Sequence, residues 1–380
     1  MIQSKEGFLP TSDKGSDFVV FKDTAGNDTQ NDSDDEDEDE VPDLERVPQD
    51  HKPRQDSKDI HQETVEAKAG ETWSEDDELD AEFALRYYLL HPGTELGHSH
   101  FFQGDFVRYI TILASSKELK RLTLTITTLA VATTIDATVV DPKVLKPIFD
   151  LVEFKDILMQ EKATRVLTRL AAIDKNAELI VNNGGLRCLL HLGTSEVKIL
   201  RQEFSVIMVS LAKNVANAFR IASDKHIMAA LLRLVQLDET ETHENALSAI
   251  SHLSNVENAR PKLIEAGVLP MITRLLGTKS PKVVLLILRA LMNVSKVAGT
   301  VEWFVQSAPR IIRTLKELLE KNLDQHSNEV LLLFLTQLAS EETFQREIVG
   351  VGCLAPLLRL SRGQKDAVLY SLSLPTFARD

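Results

Sequence analysis

The sequence predicts an all-α solenoid, a stack of short helical repeats behind a polar N-terminal segment. Three observations lead there. Gly104, Val144, Gly185, His226, Gly267, Arg310 and Gly352 stand in one register, with steps of 40, 41, 41, 41, 43 and 42 residues. Five positions after each anchor lies an apolar residue: Tyr109, Phe149, Leu190, Leu231, Ile272, Leu315 and Leu357. Between the anchors the apolar residues follow helical spacing. A period in the forties with that patterning marks a helical solenoid, in which each unit buries its apolar face only against its neighbours.

Charge divides the chain. Residues 1–80 carry 26 Asp and Glu against 8 Lys and Arg, a net of −18, whereas residues 81–380 carry 31 against 35, a net of +4. Residues 1–72 read as a disordered acidic tail. They hold the run Asp32–Glu40 and too little apolar surface to offset the entropy of folding. The island Phe18-Val-Val-Phe21 is either a chance cluster or a short docking motif.

Residues 73–100 read as a capping helix and linker. Ser74 is placed to cap a helix, with Asp77 three residues on and Asp76 and Glu78 at the positive helix end. That helix would carry Leu79, Phe83, Leu85 and Tyr87, stop at Pro92-Gly93, and cover the first repeat.

The repeat domain is assigned to residues 101–380. In the clearest unit, 255–296, Asn255–Ala266 forms a first helix and Gly267 a tight turn. Val268–Leu276 forms a second helix and Lys282–Lys296 a third. Residues 174–212 repeat the plan around Gly184-Gly185, and 341–374 around Gly350 and Gly352. Units at 214–254, near 144 and near 310 lack the glycine turn and are placed by spacing.

This three-helix plan resembles the armadillo repeat family over about 101–374, close to seven units. The family's "EAGGIPPLVxLL" segment is nearly spelled out in Glu265-Ala-Gly-Val-Leu-Pro-Met-Ile-Thr-Arg-Leu-Leu276, and its "ALxNLA" segment in Ala290-Leu-Met-Asn-Val-Ser295. Further matches are Asn183-Gly-Gly-Leu-Arg-Cys-Leu-Leu190 and Val351-Gly-Cys-Leu-Ala-Pro-Leu-Leu358. The resemblance implies a right-handed α-solenoid of armadillo-type three-helix repeats. Its third helices would line a concave groove that holds partners as extended peptides.

In that family two positions per third helix, four residues apart, face the groove. Aligned on Ala290–Asn293, the first is Leu124, Arg165, Val206, Ser248, Arg289, Leu333 and Tyr370. The second is Thr128, Arg169, Ser210, His252, Asn293, Gln337 and Leu374. Only Asn293 matches the pattern of the family's nuclear-import members, so a basic import signal is not the expected ligand. None of these positions is acidic and three are arginine. Arg165 and Arg169 share one helix face, and arginine's forked donors suit carboxylate or phosphate. Asn293 and Gln337 are placed to hydrogen-bond a peptide backbone. The expected partners are therefore acidic or phosphorylated extended protein segments; ordinary solvated arginines are the alternative. The acidic tail is a candidate intramolecular ligand, since a flexible tether raises its effective concentration to about millimolar. Solubilising arms of the same composition are common.

No phosphate loop, nucleophile elbow, HExxH or paired CxxC occurs, so no catalytic residue, cofactor or metal is expected. Cys188 and Cys353 fall among leucines in second helices, where packing is their expected role, and two cysteines point to a reducing compartment, the cytoplasm or nucleus. His91, His98 and His100 have conceivable ligand spacing without a reliable fourth ligand. Dispersed basic residues and 6% aromatics argue against nucleic-acid binding, and no segment reads as a bilayer span. The reading is a non-enzymatic protein-binding scaffold. A chaperone cofactor or a nucleotide-exchange or GTPase-regulating factor of armadillo-like type is the alternative, distinguished by whether the chain accelerates nucleotide release. Limited proteolysis should remove the tail and leave a fragment starting near Trp73; early cuts inside the repeats would contradict this division.

Overall fold

The computed structural model describes residues 73–90, 104–135, 139–297, 299–321 and 323–363. The tail, the His91–His100 cluster and the last expected third helix, with Tyr370 and Leu374, lie outside these. Among the described residues there are eighteen α-helices, one 3-10 helix and no strand.

Helix α1 (Glu75–Leu90) begins in a capping box. The Ser74 hydroxyl accepts from the Asp77 amide at 3.1 Å, and the Asp77 carboxylate accepts from the Ser74 amide at 3.2 Å. Its packed stripe is Ala81, Leu85 and Tyr88, spaced four and three apart, and Tyr88 meets Phe106 edge-on at 5.5 Å. Leu79, one of the apolar residues this helix carries, is 51% exposed, off the Ala81–Leu85–Tyr88 stripe that packs against the core.

Two units of two helices follow: α2 (Gly104–Ala114) with α3 (Leu119–Ile135), and α4 (Pro142–Val152) with α5 (Ile157–Leu170). Arg121 of α3 ties back to α1, pairing with Glu78 and lying 3.4 Å from Glu82. The next three units each have a short first helix. They comprise α6 (Asp174–Asn182), α7 (Gly185–Thr194) and α8 (Lys198–Lys213), then α9 (Val215–Ser223), α10 (Lys225–Leu234) and α11 (Thr240–Asn255). The third has a 3-10 turn (Glu257–Ala259) running into α12 (Arg260–Glu265), followed by α13 (Val268–Leu275) and α14 (Pro281–Val294). Asn255, expected to open that first helix, ends α11 instead; Pro261 in the first turn of α12 sets the later start.

After these, α15 (Val301–Glu320) runs through the point where a first and a second helix would separate, with Pro309 inside it. The anchor Arg310 therefore sits mid-helix. The unit closes with α16 (Gln325–Leu338), and α17 (Glu342–Val351) and α18 (Leu354–Gly363) end the described array. Helices α3, α5, α8, α11, α14 and α16 stack consecutively as one ladder of third helices.

The corner between first and second helices is built in two ways. Gly184, Gly267 and Gly352 turn it in the left-handed region, at φ of 92°, 82° and 81°. The unit without glycine uses Asp224 in an extended conformation, whose carboxylate accepts from the amides of His226 and Ile227 at 2.9 and 3.1 Å. The side chain supplies the cap that the glycine corners leave to backbone freedom.

The periodic apolar positions face the interior. Phe149, Leu231, Ile272 and Leu315 are buried, and Tyr109, Leu190 and Leu357 are half-buried against the core. Cys188 and Cys353 are buried free thiols, and burial pushes both above the ordinary thiol range. Gly184 and Gly185 should separate two costs. A Cβ at Gly184 meets nothing within 4 Å, so G184A should lose about 1 kcal/mol from the left-handed backbone alone. At Gly185 the Cβ would fall 2.6 Å from the Ile180 carbonyl oxygen, and G185A should lose about 2–3 kcal/mol. Urea denaturation midpoints of the two variants check the order.

Candidate functional site: the third-helix face

Each third helix buries one side in the core and turns the other outward, and the outward sides of neighbours are laced by polar side chains. Gln202 of α8 donates to Glu241 of α11 at 2.6 Å, and Asn245 of α11 donates to Ser205 of α8 at 3.2 Å. Lys282 of α14 lies 2.7 Å from Glu244 of α11. Arg201 of α8 pairs with Glu239 and donates to the Ser195 carbonyl at 2.9 Å. The hydrogen bond from Arg201 holds the Glu239 carboxyl below the usual range, and the same bond holds the guanidinium charged.

Five of the expected groove residues take part in this lacing: Arg165, Arg169, Arg289, Asn293 and Gln337. Arg165 and Arg169 are both exposed on α5, as their spacing requires. Arg165 is nonetheless committed within the chain: its Nη2 lies 2.7 Å from Glu161, and its Nε donates to Glu203 of α8 at 2.8 Å. Arg169 donates to the Ala130 carbonyl of α3 at 2.9 Å, which leaves its charge uncancelled. Ser210, Ser248, His252, Arg289 and Gln337 are half-buried, and Leu333 is 47% exposed. Gln337 donates to Ser295 at 2.8 Å.

Asn293 departs from its expected placement. It is only 7% exposed, and its amide donates to Ser254 at 3.2 Å and to Asn255 at 2.9 Å. Its donors join two repeats and are not offered to a ligand backbone. Thr128 is likewise buried, donating to the Leu124 carbonyl one turn back at 2.8 Å.

Two sets of residues on this face escape an alignment of two positions per helix. One is acidic: Glu161, Glu203, Glu241 and Glu244 stand beside the chosen positions and neutralise Arg165 and Lys282. The other is basic: Lys213 is exposed at the end of α8, and His326 at the start of α16 accepts from Arg289. Arginine only donates, so the His326 Nε2 must be the acceptor. The signal for both sets is the offset of 37–40 residues that recurs in the cross-helix bonds.

His252 on α11 is the titratable group most affected by this basic neighbourhood. Burial, then the charges of Lys213 and Arg289, hold its pKa below the ordinary histidine value. Among the described residues no three His, Cys, Asp or Glu gather as a metal site, and no helix is long and apolar enough to cross a membrane.

No protein-family model matches the chain, and no curated protein is similar to it. Solved structures are. An engineered protein solved by the Northeast Structural Genomics Consortium superposes with a TM-score of 0.57 at 18% identity, covering 77% of each chain. A designed armadillo repeat protein in complex with the peptide (KR)4 gives 0.51 at 16%, covering 62% of this chain and 100% of that one. A computationally designed armadillo repeat protein for modular peptide recognition gives 0.52 at 16%, covering 61% and 99%. The fold is an armadillo-type repeat solenoid.

The Arg165–Glu203 contact yields a pH-dependent expectation. Burial is the larger influence on Glu203 and raises its carboxyl above the usual range, while the bond to Arg165 opposes it. Ionised Glu203 therefore costs stability, a cost absent below its unfolded-state value and complete above its folded one. Removing Arg165 leaves that charge unpaired. R165A should lose about 1–3 kcal/mol at pH 7, less than for a fully buried pair because Arg165 is half exposed to water. The difference from wild type should shrink as the pH falls and Glu203 protonates, measured by urea denaturation across pH 7 to 4.5. A pH-independent difference would exclude Glu203 as its origin.

Proposed function

We propose that the chain is a non-enzymatic scaffold that holds extended segments of protein partners along its third-helix face, and that acidic or phosphorylated segments are preferred. The observation that carries this reading is the distribution of charge on that face. Glu161, Glu203, Glu239 and Glu244 are paired with Arg165, Arg201 and Lys282, and Glu241 accepts from Gln202, while Arg169, Lys213 and Arg289 face no carboxylate partner among the described residues. Three cations left without a carboxylate beside half-buried polar side chains suit an anionic chain laid across several repeats.

Two structures with this fold support peptide binding as the mode. One was designed for modular peptide recognition, and the other holds the basic peptide (KR)4. The charge preference proposed here is the reverse of that second case. The free thiols of Cys188 and Cys353 favour placing this work in the cytoplasm or nucleus.

The double change Arg165→Glu plus Arg169→Glu tests the reading on the full chain. A fluorescent octaglutamate peptide should lose at least about ten-fold in affinity at low salt, since two positive side chains on this face become negative and Glu161 and Glu203 lose the cation that neutralises them. Binding of (KR)4 should hold or strengthen. An acidic tail that occupied these cations would be released by the same change, which narrows the difference without reversing its sign. Unchanged octaglutamate affinity would overturn the preference.

A further inference from the structure

Bonds between consecutive third helices join residues 37 to 40 positions apart: Arg289 to His326, Arg165 to Glu203, Gln202 to Glu241 and Asn245 to Ser205. In that same register Lys213, His252, Arg289 and His326 are successive neighbours, with separations of 39, 37 and 37 residues. They form a basic diagonal across α8, α11, α14 and α16, helices that pack in that order. Its last step is a direct hydrogen bond from Arg289 to the His326 ring.

The middle of the diagonal has no bonded partner within the chain. Among the described residues the Lys213 ammonium and the His252 ring have no hydrogen-bond or ion-pair partner. The nearby carboxylates are engaged or distant: Glu244, two turns before His252 on α11, is held by Lys282 at 2.7 Å, and Glu329 lies at the far end, 3.8 Å from His326 Nδ1. Two fixed cations thus flank a half-buried ring that can add a third charge by taking up a proton.

We infer that this diagonal is a subsite for a phosphate dianion on a partner's side chain, a phosphoserine or phosphothreonine seated between Lys213, His252 and Arg289. The inference rests on the third-helix face being the docking surface, and it fixes where on that face a phosphate goes. A phosphomonoester carries about −1.5 to −2 charges at neutral pH and three acceptor oxygens, which matches two permanent cations and a recruitable one. A single carboxylate would leave part of that charge unanswered. Arg289 contributes a fork of donors, Lys213 a point charge and the ring one further donor.

Proton uptake is the signature that separates this site from general attraction. Lys213 faces the ring from α8 and Arg289 from α14, and within one turn on α11 itself no residue is charged. Helices α9, α10 and α12 and the 3-10 turn also pack against α11, and no charge of theirs acts on the ring. Bound anion opposes both cations, so the His252 pKa must rise on binding. Affinity then increases as the pH falls through the range between the free and the bound value.

The test is carbon-13 NMR of histidine rings in the full-length chain, titrated with inorganic phosphate, with sulfate and with a pentapeptide of one phosphoserine among alanines. Sulfate does not titrate in this range, so a rise in the His252 pKa under sulfate belongs to the protein. The expected result is a saturable His252 shift with all three probes, and a pKa raised by about one unit under saturating sulfate. K213A and R289A should each weaken binding roughly three- to five-fold, while R346A, at an exposed arginine of α17 outside the third-helix ladder, leaves it unchanged. A shift that never saturates, or that ignores K213A, overturns the site. Binding of inorganic phosphate without binding of the phosphopeptide overturns the assignment to a partner side chain. Failure of the subsite would leave the octaglutamate response to the Arg165/Arg169 reversal intact. Failure of the broader reading would remove that response and leave the His252 titration in place.

Discussion

Packing of each repeat on the next is the interaction on which the rest of the structure depends. No single unit here has enough apolar surface on the inside of two or three short helices to stand alone. Phe204 of α8, fully buried, lies against α7 so closely that a Cβ on Gly193 would come within 2.8 Å of its ring. Phe304 of α15 meets Phe334 of α16 at 6.2 Å in the same layer. Between units, polar side chains fix the register that the apolar layer leaves loose. Asn217, buried at the start of α9, donates to the Ala177 carbonyl of α6 at 3.0 Å, and Asn214 donates to the Asp174 carbonyl at 2.9 Å. Such bonds tolerate no sliding by a residue, whereas leucine on leucine would.

The binding face inherits its character from this requirement. Several side chains that the resemblance suggests for ligand contact instead tie repeats together in this chain: Arg165, Asn293 and Gln337 each bond to a neighbouring unit. A face made this way is held rigid before any ligand arrives, which lowers the ordering cost of binding. It also leaves fewer free donors, and these gather where the ladder has no acid to match a base. The charge pattern is thus partly a residue of the structural pattern. Arg121, Arg201 and Lys282 meet acids of a neighbouring repeat or helix; among the described residues Lys213 and Arg289 have none within ion-pair distance.

Much of the fold is legible in the sequence because the period is carried by apolar residues, and burial is the strongest constraint on them. The seven positions five residues beyond the anchors all pack inward, including those in units with no glycine motif. Corners are less legible, since Asp224 does by side-chain capping what Gly267 does by backbone freedom, and α15 dispenses with the corner altogether. The exposure of Leu79 and the place of Asn255 are illegible for a related reason: which stripe of α1 faces inward, and where α11 stops, depend on neighbouring helices. The groove was legible as a face but not as a set of free groups. Whether a side chain on it is available depends on the residue some 38 positions away, and no local pattern around Asn293 reveals that Ser254 and Asn255 have taken its donors.

The fused helix α15 has a mechanical consequence. A twenty-residue helix is a strut of about 30 Å, and in this unit it stands where its neighbours place two shorter rods joined at a single pivot. Stretching a solenoid draws its extension mainly from such pivots, because a hydrogen-bonded helix resists elongation far more than a corner resists rotation. Extension is therefore expected first at the corners Gly184, Asp224 and Gly267 and least from Val301 to Glu320, where the one hydrogen bond that Pro309 cannot donate is the weakest link of the strut.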